Sequence, residues 1–209
     1  MKPAFVIAGT DTDVGKTVFA AALTGALDGS YWKPIQSGTD GGGDLDIVGR
    51  LSGLPRERLL PEAYRLSRPL SPHRAAELDG VEIDVARLEE GLPEARPLIV
   101  EIAGGLLVPL SRKHLQVRLL QKWDIPVILV ARTALGTINH SLLSIFALRM
   151  HEVSIHGIAF VGDANEDSER TISDFGQVRR LGRLPNLAPL DASTLRQAFS
   201  EHFRLEDFA

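Results

Sequence analysis

The chain has 209 residues, 44% of them hydrophobic and 24% charged, with a formal net charge of −4 and no cysteine. That length supports one domain with a sizeable core, taken here as residues 1–209. The acidic balance gives no support for non-specific nucleic-acid binding, and the missing thiols exclude disulfides, cysteine metal sites and thiol catalysis. No run approaches the roughly 18 apolar residues of a membrane span. The apolar stretch before Gly9 is also too short for a secretion-signal core. The expectation is a cytoplasmic protein with neither a nucleic-acid nor a membrane partner.

In chain order, an apolar strand Ala4–Ala8 leads into a Gly/Asp/Thr loop and a helix Lys16–Leu27. A strand Ser30–Pro34 follows, then a Gly/Asp-rich loop Gln36–Asp44 and a helix Leu45–Ser52. Leu59–Ala75 carries three prolines and reads as a long ordered loop. Next come a helix Val85–Glu90, a strand Pro97–Ala103, a helix Lys113–Lys122 and a strand Pro126–Ala131. The chain then continues through a helix Ile138–Met150, a strand Ile155–Val161, a helix Ser168–Phe175, a weaker strand Arg180–Leu184 and a helix Ala192–His202. Leu98-Ile99-Val100 and Val127-Ile128-Leu129-Val130 are apolar without alternation, as in strands buried on both faces. Alternating βα units of this kind predict an α/β doubly wound domain with a mainly parallel sheet flanked by helices. Its ligands then sit at the carboxyl ends of the strands.

The polar clusters fall at those ends. Gly9-Thr10-Asp11-Thr12-Asp13-Val14-Gly15-Lys16-Thr17 lies between a strand and a helix, the setting of a phosphate-binding loop. Backbone N–H groups and the helix dipole face the anion there. Lys16 reaches the outer phosphates and the Thr17 hydroxyl binds Mg²⁺. Five residues separate Gly9 from Gly15, where the standard loop has four, and Thr10 stands where the standard glycine would. Asp11 and Asp13 gain nothing from facing a polyphosphate, so they are expected to face a cation such as a metal or an amine.

Lys33, at the end of the second strand, projects toward the same crevice as Lys16, and two lysines suit a substrate that gathers negative charge. Glu101 ends an apolar run, where Mg²⁺ is a natural partner for a carboxylate and a salt bridge to a neighbouring cation is the alternative. Asp44 and Asp46 both qualify as a second metal carboxylate or as a helix-start acid. Ala134-Leu135-Gly136-Thr137-Ile138-Asn139-His140 opens a helix, whose N–H groups could hold a substrate carboxylate, or Thr137 could simply cap it. His73, in Ser71-Pro72-His73, is either a ligand contact or a loop histidine.

Taken together, the phosphate loop, Lys33-Pro34-Ile35-Gln36-Ser37-Gly38, Ser71-Pro72-His73, Glu101-Ile102-Ala103-Gly104-Gly105 with Val108-Pro109-Leu110, and Leu135-Gly136-Thr137-Ile138-Asn139-His140 resemble dethiobiotin synthetase. The blocks occur in that family's order from residue 5 to about residue 162. The resemblance implies a P-loop NTPase fold with a deviant Walker A of the SIMIBI kind. It implies formation of a cyclic urea from 7,8-diaminopelargonate, CO₂ and ATP with Mg²⁺, the penultimate step of biotin synthesis. The expected intermediates are a carbamate and then a carbamic–phosphoric mixed anhydride. Residue by residue, it gives Lys16 and Lys33 catalytic roles and assigns the nucleotide to Asp13, Val14, Gly15, Lys16, Thr17, Val18, Asp44, Glu101 and Gly162. It assigns Mg²⁺ to Thr17, Asp44 and Glu101. It assigns the diamine to Thr12 and Ser37, and the substrate carboxylate to Gly136, Thr137, Ile138 and Asn139 of a neighbouring subunit in a homodimer.

Three departures from the family pattern bear on the site. Asp13 stands for a usual glutamate. Ile102 replaces the first glycine of Glu-Gly-Ala-Gly-Gly and is expected to crowd the backbone near Glu101. Gly162 stands where an asparagine often reads adenine, which leaves the nucleotide preference open. Partition ATPases carry a similar loop, but with a lysine at the position of Asp11, and an acid there argues against that reading.

Overall fold

The computed structural model describes residues 3–39 and 42–209. Seven strands form one sheet in the order β4-β2-β6-β1-β7-β8-β9, and every strand pair within it is parallel. The central strands are β1 (Ala4–Gly9), β6 (Leu98–Gly105), β7 (Val127–Arg132) and β8 (Ile155–Val161). β2 (Ser30–Trp32) and β4 (Leu59–Leu60) extend one edge, and β9 (Arg180–Leu184) closes the other.

Side chains alternate across the sheet, and both faces are covered. Phe5, Ile7, Tyr31 and Ile99 pack on one face with α1 (Lys16–Ala26), α2 (Asp44–Ser52) and α8 (Ala192–His202). Val6, Ala8, Trp32, Val100 and Ile102 pack on the other with α3 (Pro72–Asp79), α4 (Val85–Glu90), α5 (Gln116–Trp123), α6 (Thr137–Met150) and α7 (Glu166–Gly176). This two-sided burial explains the non-alternating apolar runs. On the α1 face, Phe19 is fully buried between Phe199 and Phe203, with ring centroids 6.3 and 5.5 Å away. Burial of such a ring contributes about 2–3 kcal/mol.

The chain runs from β1 out to β2 and later returns to insert β6 between them, before β7 starts the other half. The order reverses at β1, and the loop after β1 opens at that switch point, where such sheets bind ligands.

Several expected boundaries are corrected. The Gly/Asp-rich stretch is not all loop: Ile35–Ser37 forms β3, which pairs with β5 (Tyr64–Leu66) in a small parallel sheet, and Asp44 already belongs to α2. Asp40 and Gly41 of that stretch lie outside the described residues. Leu59–Ala75 is not a continuous loop, since it holds β4, β5 and the start of α3. The strand expected to reach Pro34 stops at Trp32, which frees Lys33 for the crevice. The helix expected from Lys113 begins at Gln116, because 109–115 folds back on itself through a Pro109–Leu115 bridge. No helix among the described residues is long and apolar enough to cross a membrane.

Candidate active site

Strand register builds the centre of the site. Tyr31 pairs with Ile99 and Trp32 with Val100, so the chain carries Lys33 beside Glu101, while Ile7 of β1 flanks Glu101 on the other side. With a period of two, Tyr31, Lys33 and Glu101 all project toward α1. Thr17, on the first turn of α1, donates its hydroxyl to Glu101 Oε1 at 2.8 Å, and the Tyr31 hydroxyl donates to Oε2 at 2.9 Å. Lys33 Nζ lies 3.4 Å from Oε1 and is paired on its other side with Asp44. The Asp44 N–H in turn donates to Gln36 Oε1 at 3.1 Å, which fixes the start of α2.

Glu101 is 1% exposed, so its charge requires these partners. Burial alone would lower the Lys33 pKa, but the Glu101 and Asp44 carboxylates outweigh it and hold the ammonium above its ordinary value. Burial lowers the Lys16 pKa, the neighbouring Lys33 charge adds to that, and Glu101 offsets part of it. Burial, followed by the Glu101 charge, pushes the Tyr31 phenol well above its usual range, so it stays a donor. The structure therefore gives Glu101 the alternative partner, a salt bridge to Lys33, and Lys33 and Thr17 link its carboxylate to Asp44 and the phosphate loop as a set of hard oxygen donors. Among the described residues no three Asp, Glu or His side chains gather into a metal cluster. Two carboxylates and a hydroxyl are nevertheless the sparse protein contribution that Mg²⁺ takes when phosphate oxygens complete its shell. The donor chemistry thus fits Mg²⁺.

Asp46 is separated from this centre by function: its carboxylate accepts the Gly43 N–H at 3.0 Å, as a helix-start acid does. Lys16 folds back over the phosphate loop and donates to the Asp11 carbonyl at 3.0 Å. Asp11 Oδ1 accepts the Thr12 N–H at 2.8 Å, while Oδ2 lies 3.8 Å from His140 Nδ1. What Asp11 faces in this structure is the imidazole ring of His140 on α6, which spacing alone did not reveal. Asp13 and Thr12 are exposed, Val14 is buried, and Gly15, Thr17 and Val18 are half-buried. Ser37 Oγ is buried without a hydrogen-bond partner among the described residues.

At the start of α6, Thr137 is turned inward. Its hydroxyl donates to the Arg132 carbonyl and its N–H to Ala134 at 3.2 Å. The His73 ring meets Ser71 Oγ at 3.0 Å. Ile102 does not crowd Glu101, because its side chain points to the opposite face and is buried in the core there. Gly162 has φ +129°, and a Cβ there would meet Thr133 Oγ1 at 2.5 Å. Its N–H is also committed to Leu184 and its carbonyl to Arg183. Geometry accounts for the glycine, because a side chain has no room at that position.

A phosphate loop that opens a helix at the switch point of a parallel sheet, with a buried lysine–carboxylate centre beside it, defines a P-loop nucleotide-binding protein. The family model described as "AAA domain" matches residues 3–194. The chain is 62% identical over 206 residues to the ATP-dependent dethiobiotin synthetase BioD of Novosphingobium aromaticivorans, covering 99% of each. It is 59% identical to that of Rhodopseudomonas palustris strain BisA53 over 100% of this chain and 97% of the relative. Among solved structures, the fold is similar to the cell division ATPase MinD of Pyrococcus furiosus, with a TM-score of 0.60, 14% identity and 100% of each chain covered. The chain belongs to the ATP-dependent dethiobiotin synthetase family.

Proposed function

We propose that the protein converts 7,8-diaminopelargonate, CO₂ and ATP to dethiobiotin, ADP and phosphate. The observation that carries this reading is the Thr17–Glu101–Lys33–Asp44 centre set against the phosphate loop, in a chain of this family. In the proposed sequence one substrate amine takes up CO₂ as a carbamate. A carbamate oxygen attacks the γ-phosphorus and expels ADP. The second amine then attacks the carbamoyl carbon of the mixed anhydride, loses a proton and expels phosphate as the ring closes.

Each residue of the site takes a role from its chemistry. Lys16 and Lys33 offset the negative charge that gathers on carbamate and phosphate, where fixed cations in a buried site act most strongly. Lys33 is held protonated for this by its two carboxylates. Thr17, Asp44 and Glu101 hold Mg²⁺, which when bound neutralises phosphate charge. Val14, Gly15, Lys16, Thr17 and Val18 cradle the phosphates, the Asp13 carboxylate faces the metal beside them, and the strand end at Gly162 borders the nucleotide with its own N–H and carbonyl held by Leu184 and Arg183. Thr12 and the unpartnered Ser37 hydroxyl hold the diamine and its carbamate. Holding amine and anhydride in register supplies rate by proximity.

The active unit is a homodimer. α6 is apolar on two sides: Ile145 and Leu148 enter the core, while Leu143, Phe146 and Met150 stand exposed at helical spacing with Leu135 beside them. An exposed stripe of this kind supports burial against a second copy. Gly136, Ile138 and Asn139, at the start of the same helix, then reach the neighbouring site for the substrate carboxylate, with Thr137 fixing the turn. Incubation with the diamine, bicarbonate, Mg²⁺ and ATP is expected to yield a product of dethiobiotin mass with one ADP per ring. ATP turnover that ignores the diamine, with no such product, would sink the proposal.

A further inference from the structure

β6 is irregular at its carboxyl end. Ile7 pairs with Glu101, but the next registered pair is Gly9 with Gly105, so β6 carries two extra residues opposite Ala8. Bulges of this kind re-aim the chain and occur beside active sites. Here the bulge turns through Gly104 at φ +58° and lies against the acidic insert of the phosphate loop. A Cβ on Gly104 would sit 3.5 Å from Thr12 Oγ1, and one on Gly105 3.7 Å from the Gly9 carbonyl. A Cβ on Gly104 would therefore enter the slot between the bulge and Thr12, in van der Waals contact with the Thr12 hydroxyl.

What fixes that slot is Gln116. Its side chain is 2% exposed. Its Nε2 donates to the Ala103 carbonyl at 2.6 Å and also to the Gly105 carbonyl, one on each side of Gly104. Its own N–H donates to Val108 at 3.0 Å, which ties the first turn of α5 to the chain leaving the bulge. A primary amide supplies two N–H donors from one uncharged nitrogen, and the two carbonyls use both. Ile102, packed in the core, anchors the near end of the bulge.

We infer that Gln116 is a positioning residue that sets the bulge 103–105 against Thr12, and thereby the seat of the diamine and its carbamate. It acts on the substrate end of the site, because the Ala103 and Gly105 carbonyls that it holds flank Gly104, which faces Thr12. The inference rests on the reaction proposed above.

The test uses the isosteric variants Gln116→Met, which removes both donors, and Gln116→Glu, which turns a carboxylate toward two carbonyls. Gln116→Met is expected to raise KM for the diamine at least about tenfold, since small displacements in a positioned site cost that much or more. KM for ATP and calorimetric ADP affinity are expected to stay within about twofold, with Gln116→Glu worse for the diamine alone. Equal losses for diamine and nucleotide, or no loss for either, would overturn the inference. If the Gln116 variants do not fold, Gly104→Ala strains the same bulge from the other side and is expected to give the same selective loss. A wild-type protein that makes no dethiobiotin would instead overturn the reaction itself, while these variants compare only substrates within an active enzyme.

Discussion

Tyr31→Phe isolates one donor at the buried centre. The ring remains and fills the same space, so no cavity opens. What goes is the hydroxyl that donates to Glu101 Oε2 at 2.9 Å. Oε1 keeps Thr17 and Lys33, but Oε2 has no other hydrogen-bond donor among the described residues. A hydrogen bond to a charged group is worth about 1.5–3 kcal/mol. For a chain of this length each kcal/mol shifts Tm by about 2–4 °C, so the variant is expected to melt about 3–12 °C lower. The functional effect is separate. A residue that orients a metal ligand typically changes metal affinity by about 10–100-fold, so the Mg²⁺ concentration for half-maximal activity is expected to rise at least about tenfold. Thermal unfolding and a Mg²⁺ titration of diamine-dependent ADP release measure the two. A variant that is less stable but has an unchanged Mg²⁺ requirement would refute the assignment of Glu101 to the metal. Unchanged stability would refute the claim that Tyr31 satisfies its charge.

Further outcomes follow from the same geometry. Asp44→Asn unbalances Lys33 and removes a metal carboxylate, and is expected to lower kcat about 100-fold. Asp46→Asn keeps an oxygen for the Gly43 N–H and is expected to stay within about threefold; equal losses measured by steady-state kinetics would show that the metal carboxylate is misassigned. Gly162→Asn places a side chain at φ +129° against Thr133, and is expected to cost about 1–3 kcal/mol in denaturant unfolding, with no gain in preference for ATP over GTP or CTP. A stable, more ATP-selective variant would contradict the backbone account of that glycine. Phe146→Glu puts a charge in the middle of the exposed α6 stripe and is expected to give a monomer by sedimentation with loss of diamine turnover. A dimer that persists at full activity would show that the stripe is not the interface.

The fold was legible because buried parallel strands leave apolar runs and the phosphate loop marks the switch point. The short strands β3, β4 and β5 were not, because two- and three-residue strands carry too little periodicity. Lys33 and Glu101 could be found from their places at strand ends. Tyr31 lies two residues before Lys33 on the same face and could have been found by the same alternation, but a tyrosine in an apolar strand reads as core. Gln116 left no local signal, because it acts across 11–13 residues on backbone carbonyls. Asp44 and Asp46 were indistinguishable by spacing. The structure separates them by partner, a lysine for one and a helix N–H for the other. Ile102 and Gly162 stood out as departures in sequence, yet Ile102 is explained by the face its side chain takes and Gly162 by the Thr133 side chain that a Cβ there would meet.

The central claim is that a carbamate oxygen attacks ATP and leaves as phosphate. Turnover started with C¹⁸O₂ in ordinary water, and quenched before the label exchanges, tests it by mass spectrometry. The account predicts one ¹⁸O in the released phosphate and one in the ring carbonyl of dethiobiotin. Dethiobiotin accompanied by unlabelled phosphate would contradict it.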